Sequence, residues 1–212
     1  MRSILLGAAV ALGLAPTLAL ASVSINVDKV TALPSATEQT VFVDVFGVDL
    51  PPEENELLNV FTIAINGVGF SPSGVRFQLP ASGSTFPGAT YKPTAHKFVF
   101  RDQGFELEPG LTNVSSTASR IQVSSEAIGP DDVANLTPAN NGFIRLPIII
   151  PANVTGVFPI NVDLTSSQLG GAGAPIVTIL GEQGSVTIVP EPASLGLIVL
   201  GGLLTLRRRR VA

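Results

Sequence analysis

The chain has 212 residues, no cysteine and a formal net charge of −4, so it contains neither disulfides nor thiol chemistry. The charge is unevenly placed: residues 22–188 carry seven basic and fifteen acidic side chains, a net charge of −8, while five arginines lie in the two ends. An acidic central region argues against nucleic-acid binding, which needs a basic face. It favours solubility outside the cell and a weak attraction for cations.

The N-terminus has the pattern of a secretory signal peptide over residues 1–21. A basic residue precedes an apolar stretch at 4–14, and Ala19 and Ala21 form a small-x-small cleavage site before Ser22. Charged, apolar and cleavage regions occur in the order that export requires. A retained N-terminal anchor is the alternative, but the apolar run is short and a proline interrupts it.

Residues 22–188 show the period of β-strands rather than that of helices. Apolar alternation predicts strands at 23–27, 41–46, 61–66, 75–79, 97–101, 120–124, 144–150, 158–164, 176–180 and 186–188. Polar segments rich in proline, glycine or acidic residues separate them and are predicted as loops, at 49–56, 80–90, 129–142 and 170–173. Nine or ten short strands predict an all-β fold, an antiparallel sandwich or barrel. The sandwich is favoured because the inward faces mix Val, Ile, Leu and Phe.

Two details of this pattern can be tested. Pro147 lacks a donor for the strand ladder, which predicts an edge or a bulge at that point. Phe98 and Phe100 are expected on one face of their strand, and the eleven phenylalanines of the chain mostly occupy strand positions where core is the default.

Three stretches carry a resemblance to a known family. They read VFVDV at 41–45, NVFTI at 59–63 and GVFPI at 156–160. Their order, with a glycine before a late strand, resembles the jelly-roll sandwiches of cohesins. The resemblance implies a cohesin-like β-sandwich for residues 22–188. Cohesins bind dockerin modules, but only the fold is carried over here.

The residue types that enzymes use form no catalytic constellation. His96 is the single histidine, and a surface or loop position is expected for it. A serine triad would need a histidine beside a nucleophile, and no Gly-x-Ser-x-Gly motif occurs. One histidine without cysteine cannot build an ordinary zinc site. We therefore predict no enzyme, no catalytic residue, no metal site and no cofactor.

Acidic residues in polar segments leave two alternatives open. They are Asp49, Glu53, Glu54, Glu56, Glu106, Glu108, Asp131 and Asp132. Paired carboxylates serve glycoside hydrolases, and calcium takes six to eight oxygen ligands, although the Asp-x-Asp-x-Asp-Gly spacing is absent. The absence of tryptophan and a single tyrosine count against stacking on sugars. A calcium-dependent adhesion or carbohydrate-binding surface module is the alternative function.

The C-terminal tail has three parts in a fixed order. Residues 189–192 contain Pro190, Glu191 and Pro192, residues 193–206 are apolar, and residues 207–212 begin with four arginines. These arginines are Arg207, Arg208, Arg209 and Arg210. The order resembles the PEP-CTERM sorting signal of bacterial envelope proteins. That resemblance implies recognition by an exosortase, a membrane-embedded enzyme that cuts near the triplet.

The physical properties of the tail agree with a single transmembrane helix. Fourteen residues at about 1.5 Å each span roughly 21 Å, short of a hydrocarbon core of about 30 Å. Snorkelling arginines and local thinning of the bilayer close that gap. Eight aliphatic residues contribute on the order of −4 kcal/mol of insertion free energy, and the arginine cluster stays cytoplasmic. A permanent C-terminal anchor is the alternative.

Together these features predict a non-enzymatic bacterial cell-envelope or extracellular-matrix protein. It is exported, anchored transiently in the inner membrane with its C-terminus cytoplasmic, and passed by an exosortase to the cell surface or matrix. Exosortase and the inner membrane are the predicted partners, exopolysaccharide is a further candidate, and nucleic acid is not expected.

Overall fold

A computed structural model describes residues 22–50, 57–78, 80–85, 96–101, 110–127, 133–171 and 175–190. Within these ranges the chain forms fourteen strands, the helical turn α1 (Phe70–Ser73) and a 3-10 turn (Leu164–Ser166). The first seven strands are β1 (Ser22–Val27), β2 (Lys29–Ala32), β3 (Gln39–Leu50), β4 (Leu57–Gly67), β5 (Arg76–Phe77), β6 (Lys97–Phe98) and β7 (Thr112–Ser116). The others are β8 (Arg120–Glu126), β9 (Ala134–Asn135), β10 (Asn140–Ile150), β11 (Gly156–Val162), β12 (Gln168–Gly171), β13 (Pro175–Leu180) and β14 (Gly184–Ile188).

The strands form two packed layers joined in one ladder. The front layer has the order β1-β3-β10-β5, and the back layer contains β2-β14-β11-β4, with β8 and β7 continuing beyond β4. β12 pairs with β4 and β13, and β13 pairs with β1, so the ladder passes from one layer to the other at β13. The predicted sandwich is therefore confirmed.

The core lies between the layers and is built from the alternating apolar residues of the long strands. Val43 and Val45 of β3 and Leu146 of β10 face Phe61 and Ile63 of β4. Seven phenylalanines are buried there in two groups, and these are Phe61, Phe98, Phe100 and Phe143, and then Phe70, Phe77 and Phe158. The expectation that phenylalanine belongs to the core is confirmed for these residues.

The long axis of the sandwich has two distinct ends. β3 runs its full length, since Leu50 pairs with Ser22 and the side chain of Gln39 donates to the carbonyl of Leu33 at 2.8 Å. Twelve residues in a strand span about 36 Å. Ser22 therefore lies at one end, while Val189, whose N–H donates to the Ala32 carbonyl at 3.1 Å, lies at the other.

The sandwich was predicted to be antiparallel, but three of its strand pairs are parallel. β1 pairs in parallel with β13, β2 in parallel with β14, and β6 in parallel with β10. The first two pairings occur because the early strands and the last strands run the same way along the axis and close the sandwich side by side. Gly184 allows this close approach, because a Cβ there would lie 2.5 Å from the backbone oxygen of Asp28.

Several local predictions also need correction. Residues 134–135 and 140–142 are strand rather than loop, and Gly170 and Gly171 belong to β12, where they pair with Val60 and Leu58 of β4. Gly170 fits there because a Cβ would meet Val60 at 2.5 Å. A two-residue strand and consecutive glycines show no alternation of apolar and polar side chains, so the sequence could not reveal these segments.

The edge or bulge predicted at Pro147 is not found. β10 has neighbours on both sides, and its bulge lies between Gly142 and Ile144. The carbonyl of Pro147 accepts from the N–H of Gln78, which lies just past β5. The nitrogen of Pro147, which has no hydrogen to donate, therefore also faces β5, where β10 pairs over only two residues. β10 tolerates the proline because few backbone hydrogen bonds join it to β5.

Phe98 and Phe100 do not share one face of a regular strand. β6 is only two residues long, and Phe98, Val99 and Phe100 are all buried. The N–H of Arg101 donates to the Phe98 carbonyl at 2.8 Å, so the chain turns there and brings all three side chains inward.

The predicted targeting segments fall outside the described residues, apart from Ser22, Val189 and Pro190. Residues 1–21 and 191–212 therefore keep the status of sequence predictions. In the part of the chain that the structure describes, no helix has the length and apolar character to cross a membrane.

Candidate functional site

The outer surface of the front layer, here called the front face, combines aromatic, aliphatic and charged side chains. It is formed by the outward residues of β13, β1, β3 and β10. Phe42, Val48, Val177 and Ile179 on this face are all exposed. Because an exposed apolar cluster on a flat sheet is a common mark of an interaction surface, this face is the candidate site.

A buried ion pair lies at its centre. Asp44 of β3 stands directly opposite Arg145 of β10 in the register, and the Arg145 Nε lies 3.4 Å from Asp44 Oδ1. The Asp44 side chain is 5% exposed. The guanidinium also lies over the ring of Phe42, 4.8 Å from its centroid, which is within range of a cation–π contact. The Arg145 guanidinium thus contacts both the Asp44 carboxylate and the Phe42 ring.

The next outward residue of β3 is also aromatic. Phe46 stacks on the imidazole of His96, with ring centroids 3.7 Å apart and planes inclined by 5°. His96 Nε2 lies 3.5 Å from Asp28 Oδ1. His96 is partly exposed, so its expected surface position is correct, but it is held against an aromatic ring rather than being freely solvated.

Aliphatic residues extend the front face towards the Ser22 end. Val177 and Ile179 of β13 flank Ser22 and Ser24 of β1 in parallel register, and Ser24 pairs with Val48 of β3. Because serine side chains are small, β1 forms a shallow groove between the aliphatic side chains of β13 and β3. A partner surface would therefore meet methyl groups on both sides of β1.

The outer surface of the back layer is polar around β8 and the 3-10 turn. Arg120 of β8 reaches across β4 and donates from Nη2 to Asp163 Oδ2 at 3.2 Å and to the Ser166 hydroxyl at 3.0 Å. Gln122 donates to the Ser166 carbonyl at 3.4 Å. These bonds cover Ala64, which is completely buried although it points outward. The network fastens the 3-10 turn to the sheet and has a structural role.

Asp163 is the residue whose protonation this network changes most clearly. Its pKa is lowered to about 2, first by the hydrogen bond from the Thr165 hydroxyl and then by those from Arg120 and Ser166, against the opposing effect of burial. The Thr165 hydroxyl donates to Oδ1 at 2.6 Å, and the Thr165 N–H donates to the same atom at 3.1 Å. Asp163 thus caps the 3-10 turn as an anion.

The other sequence candidates are only partly within the described chain. Asp49 lies near the end of β3, where it pairs with Val23 in register. The remaining acidic candidates lie outside the described residues, and these are Glu53, Glu54, Glu56, Glu106, Glu108, Asp131 and Asp132. Among the residues that are described, no group of three His, Cys, Asp or Glu side chains is placed to hold a metal ion.

Comparison with solved structures shows what this architecture is similar to. A type I cohesin in a cohesin–dockerin complex from Clostridium thermocellum superposes with a TM-score of 0.52 at 13% identity, over 80% of this chain and 94% of that one. The seventh ScaB type I cohesin from Pseudobacteroides cellulosolvens gives 0.51 at 14% identity, over 80% and 93%. The described domain has a cohesin-like fold. No protein-family model and no curated protein sequence matches the chain.

The cohesin-like fold confirms the resemblance drawn from the three strand segments, and at this level of identity it establishes the fold alone. The front face could not be found from the same segments. Phe42 and Asp44 alternate with valines in a visible way, but only the strand register places Arg145 opposite Asp44. The signal that could have pointed to this face is the presence of two phenylalanines, Phe42 and Phe46, on the side of β3 opposite its inward valines.

Proposed function

We propose that this chain is a non-enzymatic cell-envelope or extracellular-matrix protein, exported through residues 1–21 and processed by an exosortase at Pro190, Glu191 and Pro192. Residues 193–206 would hold it in the inner membrane, with residues 207–212 in the cytoplasm. The observation that carries the proposal is the sequence of the tail, in which the Pro-Glu-Pro triplet, the apolar segment and the arginines follow one another. This tail comes directly after the last strand of an acidic β-domain. In support, Pro190 is exposed and directly follows the last residue bonded to the sheet.

We also propose that the domain is a protein-binding module and that its partner contacts the front face. Two of the similar structures contain cohesins bound to dockerins, so this fold serves protein binding in those cases. Interface centres are enriched in aromatic residues and arginine, with apolar neighbours and few unpaired charges. The front face has this composition, with Phe42, Arg145 and the aliphatic pair Val177 and Ile179.

The sorting proposal is tested by changing the triplet in the native cells. Glu191→Ala is compared with Glu182→Ala, which removes a nearby exposed carboxylate paired with Lys29. Fractionation should find the unchanged protein and Glu182→Ala outside the membrane, and Glu191→Ala retained in it. Equal release of Glu191→Ala would contradict a role for the triplet.

The binding proposal is tested by photo-crosslinking in the same cells. A benzophenone amino acid at position 42 should give a discrete adduct with another protein, because that side chain is exposed on the front face. The matched control places it at Gln122 on the polar back layer, where no adduct of that mass is expected. An adduct at position 122 and none at 42 would move the interface to the other face.

Calcium-dependent adhesion stays a prediction attached to the acidic loops. A ligand that binds the folded state raises its apparent stability. Thermal melts with calcium and with EDTA therefore separate the two functions, and coincident melting curves would eliminate the calcium alternative.

A further inference from the structure

The two most exposed aliphatic side chains of the described domain lie beside Val189, where the chain leaves it. Val157 is 61% exposed, Leu33 is 58% exposed and Val189 is 42% exposed. They belong to different parts of the sequence, and the register of β11, β14 and β2 brings them side by side. Scattered exposed aliphatic residues need no explanation, but their convergence on the exit point does.

The register defines this surface. Val157 of β11 pairs with Thr187 of β14, and Thr187 pairs with Thr31 of β2. Leu33 and Val189 continue the same outward alternation by one step, since the N–H of Val189 donates to Ala32. We call this surface the exit strip, and it consists of Thr31, Leu33, Thr155, Val157, Thr187 and Val189.

The exit strip carries no charge on a strongly acidic domain. All six of its side chains are aliphatic or threonine. The next outward pair in the register is Lys29 and Ser185, and Lys29 is neutralised by Glu182 at 3.0 Å. An anionic lipid surface repels carboxylates, so a face free of them is the one that such a surface can approach.

The length of the tether brings the strip to the membrane. Only residues 190–192 separate Val189 from the apolar segment that begins at position 193. Four extended steps span at most about 14 Å, whereas the headgroup region is roughly 5–7 Å thick on each side of the bilayer. A domain anchored through residues 193–206 therefore has its exit end within about 14 Å of the hydrocarbon core, close enough for the exit strip to reach the headgroups.

We propose that the exit strip lies on the lipid headgroup surface of the membrane that holds residues 193–206. This rests on the proposed function, because it requires the tail to be in the bilayer. The outer surface of β11, β14 and β2 at the exit end then lies against the membrane, the front face on the opposite layer points away from it, and the triplet is held at the interface where a membrane-embedded enzyme acts. Cleavage at the triplet frees the strip.

The absence of cysteine in the chain allows a direct test. The full chain is expressed in a bacterium that exports it but lacks an exosortase, purified from the membrane and reconstituted in phosphatidylethanolamine–phosphatidylglycerol vesicles. Single variants Leu33→Cys and Val157→Cys carry an environment-sensitive fluorophore. The matched control is Val177→Cys, an exposed strand valine that pairs with Ser22 at the opposite end. Leu203→Cys reports on the apolar segment itself.

Lipids with a shallow spin label should quench the fluorophores at positions 33 and 157 at least twofold more than the one at position 177. Val157→Glu in the Leu33→Cys protein should abolish that difference, while Val177→Glu should leave it unchanged. Equal quenching at positions 33, 157 and 177, with strong quenching at 203 by deep spin labels, overturns the docking of the strip alone. No quenching at 203 overturns the membrane segment, and with it both the proposed function and this inference.

Discussion

Asp44 and Arg145 face each other on adjacent strands, and the carboxylate is almost completely removed from water. An ion pair in such a place adds little net stability, but removing one partner leaves the other charge in a poor environment. Loss of the Arg145 side chain should therefore reduce the stability of the fold as well as change the front face.

Arg145→Ala should lower the free energy of unfolding by about 1–3 kcal/mol, because it removes the positive charge beside the buried Asp44 carboxylate. Arg76→Ala is the matched control, since Arg76 pairs with Glu38 at 2.9 Å with both side chains well exposed. Its loss should cost less than about 1 kcal/mol. Urea titrations measure both, and equal small effects would show that the burial of Asp44 does not depend on Arg145.

Asp163 makes the stability of the domain sensitive to acid. Its pKa is about 2 in the folded chain, below its ordinary value of 3.8. A lowered pKa stabilises the folded state above the ordinary value, and this contribution is lost as the pH falls through about 2. The expected loss between pH 4 and pH 2 is on the order of 1–2 kcal/mol after allowing for partial exposure.

Asp163→Asn removes this titration. Thermal melts of the two proteins from pH 5 to pH 2 should therefore converge, because only the unchanged chain loses the contribution of Asp163 in that window. Parallel curves for the two proteins would show that the hydrogen bonds from Thr165 and Ser166 do not depend on the charge.

The last strand, β14, is the element that joins the fold to its exit. It lies between β11 and β2, and its first residue, Gly184, packs against the chain where β1 gives way to β2. A Cβ there would meet Cγ1 of Val27 and, at 2.5 Å, the backbone oxygen of Asp28, and backbone yields less easily than the end of a flexible side chain.

Gly184→Ala should destabilise the domain by about 1–3 kcal/mol through overpacking against Asp28. Ser185→Ala, the adjacent position on the outward side, should change stability by less than about 0.5 kcal/mol. Chemical unfolding of the two variants measures the difference. Indistinguishable midpoints would mean that β14 and β2 separate easily, and that the exit end is less firmly held than the register implies.

How far the sequence predicts the elements depends on their length. β3, β4, β10 and β11 were predictable because six or seven residues in each of them alternate in the sequence. β9 has two residues, and Gly170 and Gly171 contribute no side chains, so neither segment has a period to detect. The parallel pairing of β1 with β13 depends on contacts between residues about 150 positions apart, which no local pattern encodes.

At the scale of the whole molecule, the two proposed processing points lie at opposite ends of the sandwich. Ser22 pairs with Leu50 at one end of β3, and the chain leaves at Val189 beside the other end, about 36 Å away. The signal peptide and the C-terminal tail can therefore be handled independently. In the proposed transient state the exit strip lies at the membrane, and the front face, which is on the opposite layer, points away from it.

The most direct measurement is the intact mass of the protein recovered from its native cells, in membrane and extracellular fractions. Processing at both ends should give an extracellular species that begins at Ser22 and ends near residues 190–192. A membrane-bound species that begins at Ser22 and retains Arg207 to Arg210, with no shorter extracellular form, would show a permanent anchor and contradict processing by an exosortase.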